Sequence, residues 1–296
     1  MMIRHNKKGF TLIELVITMT IASIIAMVTA QLISRPVTAY ANLSLRAQLV
    51  DAAESSLERM TREIRTALPN SIRIGCSNKC IEFLRTIDGS RYRLSAPGNV
   101  LSFDQSSLDS DGFEVLGHLS DPASIVTSNN PDDCRTGNAD CLVIYNTGQI
   151  NHDAYQLDNI ATVKNINGSP SVIEFSFPGG QLAFPTSSPA QRFSIVDTPI
   201  SYICDDTTTK TITRYQDYPI TANHNNVDTE TELMAFSGTE KALVSNKITG
   251  CSFTYNAGSA TRSGLVTINL TLSETMPSGH VESISLIQQI HVVNTP

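Results

Sequence analysis

The stretch KKGFTLIELVITMTIAS at positions 7–23 decides how this chain folds, because it begins a long apolar run that contains one carboxylate. That carboxylate is Glu14. The next twenty residues, 15–34, carry no charged side chain, and Arg35 and Pro36 follow them. Twenty helical residues rise about 30 Å, the thickness of the apolar core of a bilayer. The sequence therefore predicts a membrane-spanning helix with an acidic residue near its start.

A short basic block precedes the apolar run. Arg4, Lys7 and Lys8 lie within residues 1–9, and no acidic residue accompanies them. Basic residues beside a membrane helix stay on the cytoplasmic side. The sequence thus predicts that this basic segment stays in the cytoplasm, with the long C-terminal part of the chain on the opposite side of the membrane.

Three interpretations compete for this N-terminus. The first is a plain membrane anchor. The second is an ordinary secretory signal, cleaved after the small residues 28–30 and before Gln31. A charge in the apolar core costs a few kcal/mol or more, so an unpaired Glu14 fits neither interpretation well. The third is a signal segment in which the carboxylate of Glu14 is required for function.

From position 10 to about position 68 the pattern predicts one long helix, apolar at first and amphipathic afterwards. Pro69 should end it, because proline cannot donate a backbone hydrogen bond and biases the preceding residue toward extended geometry. Pro36 predicts a kink or a local break. The apolar stripe of the second half consists of Leu45, Leu49, Ala53, Leu57, Met60, Ile64 and Leu68.

From position 71 onward the hydrophobic period changes to two, which predicts strands. IEFLRTI (81–87) and RYRLS (91–95), separated by Asp88-Gly89, suggest a hairpin. A second pair is GLVTINLTLS (264–273) with VESISLIQQIHVV (281–293). The other strand candidates are CLVIYN (141–146), SVIEFSF (171–177), RFSIV (192–196), ISYIC (200–204), TITRY (211–215) and CSFTY (251–255).

These patterns predict an α+β fold, in which a long N-terminal helix packs against a β-rich C-terminal head. The helix should span a membrane first and become amphipathic afterwards. The predicted segments are a polar, basic N-terminus (1–9), a transmembrane helix (10–35), an amphipathic helix (36–69) and the head (70–296).

Composition and charge restrict the classes of partner. Only 17% of the residues are charged, below the usual quarter, so the surface is polar but weakly charged, as in exported proteins. The net charge of −7 argues against nucleic acid as a partner, because binding it requires a basic stripe.

The six cysteines all follow the apolar segment: Cys76, Cys80, Cys134, Cys141, Cys204 and Cys251. Their spacing favours disulfides between the first and second, the third and fourth, and the fifth and sixth. The alternative is a zinc site built from the C-x3-C and C-x6-C pairs. Neither pair has the usual C-x2-C spacing, and an oxidising compartment favours disulfides.

Nothing in the sequence predicts an enzyme. The six histidines are widely spread, and the chain has no metalloprotease, nucleophile-elbow or phosphate-loop motif. Asp109, Asp111 and Glu114 could offer oxygen ligands to calcium near a turn. Their spacing does not match an EF-hand loop, so solvated turn acids are the favoured interpretation. We therefore expect no catalytic residue, no cofactor and no bound metal.

The segment KKGFTLIELV (7–16) resembles the class III signal of the type IV pilin-like family. The resemblance implies that a prepilin peptidase cuts after Gly9 and methylates the new amino terminus at Phe10. The apolar segment then stays as an anchor and later joins the core of a filament. Glu14, at the fifth mature position, is the family's characteristic glutamate. In a filament it would face the amine of a neighbouring subunit, so that each charge offsets the desolvation of the other.

Other segments resemble minor members of that family. Residues 57–74 are similar to the helix end of J-type minor pseudopilins. A mature chain of 287 residues (296 − 9) is longer than major pilins, which also indicates a minor member. Head segments at 140–148, 192–205, 250–258, 264–273 and 289–296 resemble O-type minor pilins of the mannose-sensitive haemagglutinin (MSHA) pilus.

These resemblances imply a function in assembly, in the initiation or tip complex of an MSHA-type pilus used in surface attachment. The chain would wait in the bacterial inner membrane with its head in the periplasm. Its partners would be the prepilin peptidase, other major and minor pilins, the inner-membrane assembly machinery and membrane lipid. Two alternatives are a J-type pseudopilin of type II secretion and a pilus-borne adhesin with a carbohydrate-binding head.

Overall fold

The computed structural model describes residues 9, 11–104, 112–258, 263–276 and 279–293, which form one long helix and two β-sheets. The long helix, α1, spans Leu12–Ile64. Together with the two β-sheets it confirms the predicted α+β class. It continues through Pro36, so the predicted local break is wrong. A proline removes a single intrahelical hydrogen bond, and a helix of 53 residues retains its other bonds on both sides.

α1 ends four residues before the predicted end at Leu68. The chain after Ile64 forms backbone hydrogen bonds with a strand instead of continuing the helix. Leu68 N–H donates to the carbonyl of Leu84 at 2.8 Å, and Thr86 N–H donates to the carbonyl of Thr66 at 2.8 Å. Sheet pairing with residues distant in sequence therefore terminates the helix before Pro69 does.

The described residues contain twelve strands and two further α-helices of four residues each. The short helices are α2 (Asp133–Thr136) and α3 (Glu230–Leu233). The strands are β1 (Arg73–Gly75), β2 (Cys80–Tyr92), β3 (Phe113–Leu116), β4 (Cys141–Ile144), β5 (Ile160–Asn167), β6 (Val172–Ser176), β7 (Arg192–Asp205), β8 (Thr211–Gln216), β9 (Glu240–Ser245), β10 (Ile248–Asn256), β11 (Gly264–Thr275) and β12 (Val281–Val292).

Six strands of the larger sheet close into a ring. β2 pairs with β3, β3 with β6, β6 with β5, β5 with β4, β4 with β7, and β7 with β2, each antiparallel. One cluster of buried side chains draws members from all six strands, including Tyr92, Phe113, Phe175 and Phe193. The ring is therefore a small barrel filled with side chains. β1, β8 and β9 extend the sheet beyond it, and β10-β11-β12 form a separate sheet.

The predicted hairpin at 81–95 is wrong, because the single strand β2 runs through its first arm and the expected turn and ends at Tyr92, in the second arm. Gly89 lies opposite Ser194 of β7 within this strand pair. A Cβ atom at Gly89 would lie 2.8 Å from the carbonyl oxygen of Phe193. The glycine therefore allows two strands to approach closely and does not form a turn. In the same way, the candidates 192–196 and 200–204 are one strand, β7.

The remaining strand candidates correspond to β4, β6, β8, β10, β11 and β12, and these predictions are confirmed. Sequence reasoning missed the strands β1, β3, β5 and β9. By contacts the chain divides into two compact units, Met1–Val50 with Glu274–Glu282, and Asp51–Ser273 with Ser283–Pro296. The predicted segment bounds at positions 35 and 69 stay a prediction.

The structure contains the three disulfides expected from cysteine spacing: Cys76–Cys80, Cys134–Cys141 and Cys204–Cys251. All six cysteines are disulfide-bonded, so none is left as a thiolate ligand for zinc, which rules out the zinc alternative. The third disulfide joins β7 of the larger sheet to β10 of the smaller one. This disulfide therefore cross-links the two sheets in addition to the backbone.

Removing the Cys204–Cys251 disulfide should destabilise the head more than removing Cys76–Cys80. The first bond spans 47 positions and the second only 4, and a longer closed loop restricts the unfolded chain more. The chain-entropy relation gives roughly 4 kcal/mol for the longer loop and roughly 2 for the shorter. Urea unfolding of the C204A/C251A and C76A/C80A variants, with the full chain in detergent, measures both losses. Equal losses would contradict the loop-length account.

Candidate functional site

Thr11 and Glu14 form a capping box at the start of α1. Glu14 N–H donates to Thr11 Oγ1 at 3.3 Å, and Thr11 N–H donates to Glu14 Oε2 at 3.5 Å. The Thr11 hydroxyl also donates to Glu14 Oε2, at 3.4 Å. A Thr-x-x-Glu box satisfies backbone donors that the first helical turn leaves without partners. Sequence reasoning missed this local role, although the spacing of the two residues indicates it.

The Glu14 carboxylate keeps one oxygen available. Thr11 engages Oε2, whereas Oε1 has no hydrogen-bond partner among the described residues. The side chain is exposed, and no described cationic side chain forms an ion pair with it. Gly9 is described, and the predicted new amino terminus at Phe10 lies outside the described residues. The carboxylate can therefore accept a further donor from another molecule.

The first part of α1 presents a continuous apolar surface. Leu12 is 83% exposed, Ile13 is 69% exposed and Met27 is 69% exposed. Every other large apolar side chain up to Leu43 that the structure describes is also exposed. Among the described residues, α1 is the helix long and apolar enough to span a membrane, by length and composition. Such a surface requires a bilayer or other apolar helices to cover it.

The hydroxyl side chains that the structure describes between residues 15 and 33 are satisfied within the helix. Four of them donate to a carbonyl oxygen three or four residues earlier, at 2.6 to 2.9 Å. Hydrocarbon offers no water to replace such bonds, so polar groups there must find internal partners. These four residues therefore do not hinder placement of the segment in an apolar environment. They are Thr18, Thr20, Ser23 and Thr29.

The last part of α1 is fastened to the larger sheet. Ala53, Met60 and Ile64 of the predicted stripe are fully buried. Glu63 Oε2 accepts hydrogen bonds from Arg214 Nε at 2.7 Å and from the Tyr202 hydroxyl at 2.6 Å. These contacts confirm that the upper part of the stripe packs on the head. Contact of its lower part with neighbouring subunits stays a prediction.

A buried ion pair lies at the edge of the larger sheet, where Arg73 of β1 is opposite Glu82 of β2. Glu82 is fully buried and accepts from Arg73 Nε at 3.0 Å and from the Tyr218 hydroxyl at 3.1 Å. The Arg73 guanidinium also lies 3.4 Å from the ring centroid of Tyr155. Burial raises the pKa of Glu82 to about 6, and Arg73 opposes this shift. Arg73 therefore offsets only part of the cost of burying the Glu82 carboxylate, which the fold encloses.

His224 adjoins this ion pair. Its Nε2 atom lies 3.5 Å from Glu82 Oε2 and forms no hydrogen bond with a described residue. Burial lowers the pKa of His224 to about 4, and the charge of Arg73 acts in the same direction. Arg73 already neutralises Glu82, so the nearby carboxylate does not restore the pKa of the imidazole. This cluster was not predicted from the sequence, because no sequence motif shows which residues of two strands will pair.

Of the three calcium candidates, Glu114 is described and is paired with an arginine. Glu114 Oε1 accepts a hydrogen bond from Arg93 Nη2 at 2.6 Å, so its carboxylate is already paired. Asp109 and Asp111 lie outside the described residues. Among the residues that the structure describes, no three histidine, cysteine or acidic side chains are grouped as metal ligands.

Comparison with known proteins gives one match, over the N-terminal segment. Residues 4–30 match the family described as the prokaryotic N-terminal methylation motif. No curated protein matches the chain, and no solved structure matches it. The motif supports a type IV pilin or pseudopilin, and it implies processing by a prepilin peptidase. Proteins that carry it are structural, and the apolar part of α1 fits an inner-membrane anchor.

The His224→Gln variant should lose less stability than the wild type when the pH falls from 7 to 4.5. The pKa of His224 is about 4 in the folded chain and has its ordinary value of 6.5 in the unfolded chain. Between these two values the unfolded chain binds a proton more readily than the folded chain. The stability that the neutral imidazole allows above pH 6.5 is therefore lost as the pH falls toward 4. The free-energy difference between the two proteins should change by roughly 2–3 kcal/mol. Urea unfolding at both pH values measures it.

Glu82 acts in the opposite direction in both proteins. Its raised pKa adds stability as the pH falls from about 6 toward 4.5, so only the difference between variants isolates the imidazole. The matched control is His291→Gln, which changes an exposed histidine and should follow the wild type. Identical pH dependence of wild type and His224→Gln would contradict the assignment.

Proposed function

We propose that this chain is a minor pilin, cut after Gly9 and N-methylated on Phe10. It would wait in the bacterial inner membrane with its head in the periplasm, and then enter a pilus through α1. The observation that carries the proposal is the methylation motif at residues 4–30, followed by an exposed apolar helix with Glu14 as its early acidic residue. A plain anchor or a cleaved secretory signal needs no such carboxylate.

The exposed apolar surface of α1 supports transfer from lipid into a filament. In the membrane, acyl chains cover these side chains. In a filament, equivalent helices of other subunits would cover them, so the helix passes between two apolar environments without exposing its surface to water. The satisfied hydroxyls of residues 18–29 suit both environments, because neither supplies water.

The free oxygen of Glu14 supports pairing with the amine of a neighbouring subunit. A carboxylate and an ammonium group in an apolar core attract strongly, and each offsets the desolvation of the other. Thr11 holds Oε2, which orients the carboxylate, while Oε1 can accept from the amine. Because one amine must reach one carboxylate, such a pair would also fix the axial register between subunits.

The Glu14→Gln variant should be cut and inserted into the membrane normally but should fail to enter filaments. Glutamine can still cap the helix through its side-chain oxygen, so this change removes the charge and keeps the capping box. Immunoblotting of sheared pili against the membrane fraction measures incorporation. We expect at least tenfold less of the variant in pili, because a buried ammonium without its partner costs several kcal/mol.

Thr11→Ala is the matched control, since it removes the capping hydroxyl and keeps the Glu14 charge. Losing the cap should cost only about 1 kcal/mol of helix stability, so incorporation should stay close to the wild type. Normal incorporation of Glu14→Gln into pili would contradict the proposal that Glu14 pairs with the amine of a neighbouring subunit. Failure of Thr11→Ala together with normal incorporation of Glu14→Gln would mean that Glu14 acts as a helix cap alone.

We further propose that the machinery is an MSHA-type pilus and that the chain acts in its initiation or tip complex. The resemblance of the head segments supports this assignment, and a J-type pseudopilin of type II secretion is the alternative. A strain that lacks the chain should lose surface pili while its exported enzymes are still secreted. Loss of secretion with normal piliation would instead indicate the pseudopilin. Electron microscopy and assays of culture supernatant separate the two outcomes.

A further inference from the structure

A depression of about 350 Å³ in the head is lined by three aspartates that are far apart in the sequence. Asp140 immediately precedes β4, Asp197 belongs to β7, and Asp217 immediately follows β8. The first two are neighbours, because Cys141 lies opposite Val196 at the end of the β4–β7 pair. The sheet therefore gathers like charges around one depression, which we call the acidic pocket.

The Asp140 carboxylate is buried without a cationic partner. Asp140 is only 4% exposed. Its Oδ2 atom accepts a hydrogen bond from Val126 N–H at 2.8 Å, whereas its Oδ1 atom accepts none from a described residue. Glu82, the other buried acidic residue that the structure describes, is paired with Arg73. Desolvation of a buried carboxylate normally requires such a partner, so Asp140 has an oxygen and a charge available to a cation from another molecule.

The arginine beside the pocket does not neutralise it. Arg85 is bound to Asp197, with its Nε atom 3.0 Å from Oδ2 and its Nη2 atom donating to the same oxygen. Burial raises the pKa of Asp140 to about 6, and the charge of Asp197 acts in the same direction. Burial also raises the pKa of Asp217, with the charges of Glu240 and Asp197. The carboxylates of the pocket therefore repel one another, and a bound cation would relieve that repulsion.

Apolar side chains line the same depression. Ile87 is 36% exposed, Val126 is 53% exposed, and Ala139 lies beside them. An apolar wall next to carboxylates suits a positive charge on a hydrocarbon stem, because the stem can pack while the charge is paired. A metal ion fits less well. Among the described residues, no three acidic, histidine or cysteine side chains are grouped as its ligands.

We propose that the acidic pocket binds a primary ammonium group carried on a short apolar chain. An ammonium group has three N–H donors, which Asp140 and Asp217 can share as acceptors, while the chain packs on Ile87 and Val126. The volume is that of a small-molecule site, which favours a single such chain over a folded surface. The ammonium group could belong to a lysine side chain of another protein or to a free diamine. This inference is independent of the proposed assembly function.

Ligand-observed saturation-transfer NMR with the full chain in detergent at pH 7.5 tests the proposal, with empty micelles as the blank. The probes are acetyl-lysine methylamide for a protein side chain, cadaverine for a free diamine, and acetyl-norleucine methylamide, which keeps the stem without the charge. We expect at least one ammonium probe to bind, and the tighter of the two identifies the source. The norleucine derivative should bind at least about tenfold more weakly. Failure of both ammonium probes, or equal binding of the norleucine derivative, would overturn the proposal.

Three variants assign the binding to this pocket. Asp140→Asn should weaken binding about tenfold or more, because it removes a charge-assisted hydrogen bond. Its unfolding midpoint should stay equal or rise, since the amide oxygen can still accept from Val126 and no unpaired charge is buried. Asp217→Asn should weaken binding several-fold. Asp121→Asn, which changes an exposed aspartate outside the pocket, is the matched control and should bind as the wild type does.

The same variants separate a binding role of Asp140 from a purely structural one. A carboxylate needed only for folding predicts that Asp140→Asn lowers the unfolding midpoint and leaves binding by the folded protein unchanged. Unchanged binding in Asp140→Asn would therefore overturn the proposal. If that variant does not fold, unchanged binding in Asp217→Asn would overturn it instead.

Discussion

The apolar surface of α1 between Leu12 and Leu43 is the constraint on which the behaviour of the chain depends. Every large apolar side chain described there is exposed, and water cannot be the environment of so large a surface. A bilayer can cover this apolar surface, and so can a bundle of similar helices. The single carboxylate at Glu14 fits either environment only when another group meets its charge. The motif match over residues 4–30 falls on this segment and supports a type IV pilin or pseudopilin.

The head, in contrast to the first part of α1, folds around a hydrophobic core of its own. Its six-stranded ring buries an aromatic cluster, and the last turns of α1 are held by the contacts of Glu63 with Arg214 and Tyr202. Three disulfides cross-link the head, one of them between the two sheets. A small barrel with such links suits a domain on the surface of an exported protein.

Local patterns predicted well the parts of the structure that depend on neighbours in sequence. The long helix, its amphipathic second half and the final strands follow from periodicity, and the disulfides follow from cysteine spacing. The hairpin at Asp88-Gly89 failed, because a glycine that allows close approach to Phe193 has the same sequence pattern as a turn. The ion pair of Arg73 and Glu82 depends on strand register, which is set by contacts distant in sequence. The shortened end of α1 was missed for the same reason.

The most direct test of the account is the mass of the intact chain and of its N-terminal peptide after extraction from the membrane. The account predicts a chain that begins at N-methylated Phe10, with the apolar segment retained. A chain that begins at Gln31 would mean that the apolar segment is an ordinary cleaved signal. A chain that still carries residues 1–9 would mean that no prepilin peptidase acts on it. Either of the last two results would contradict the account.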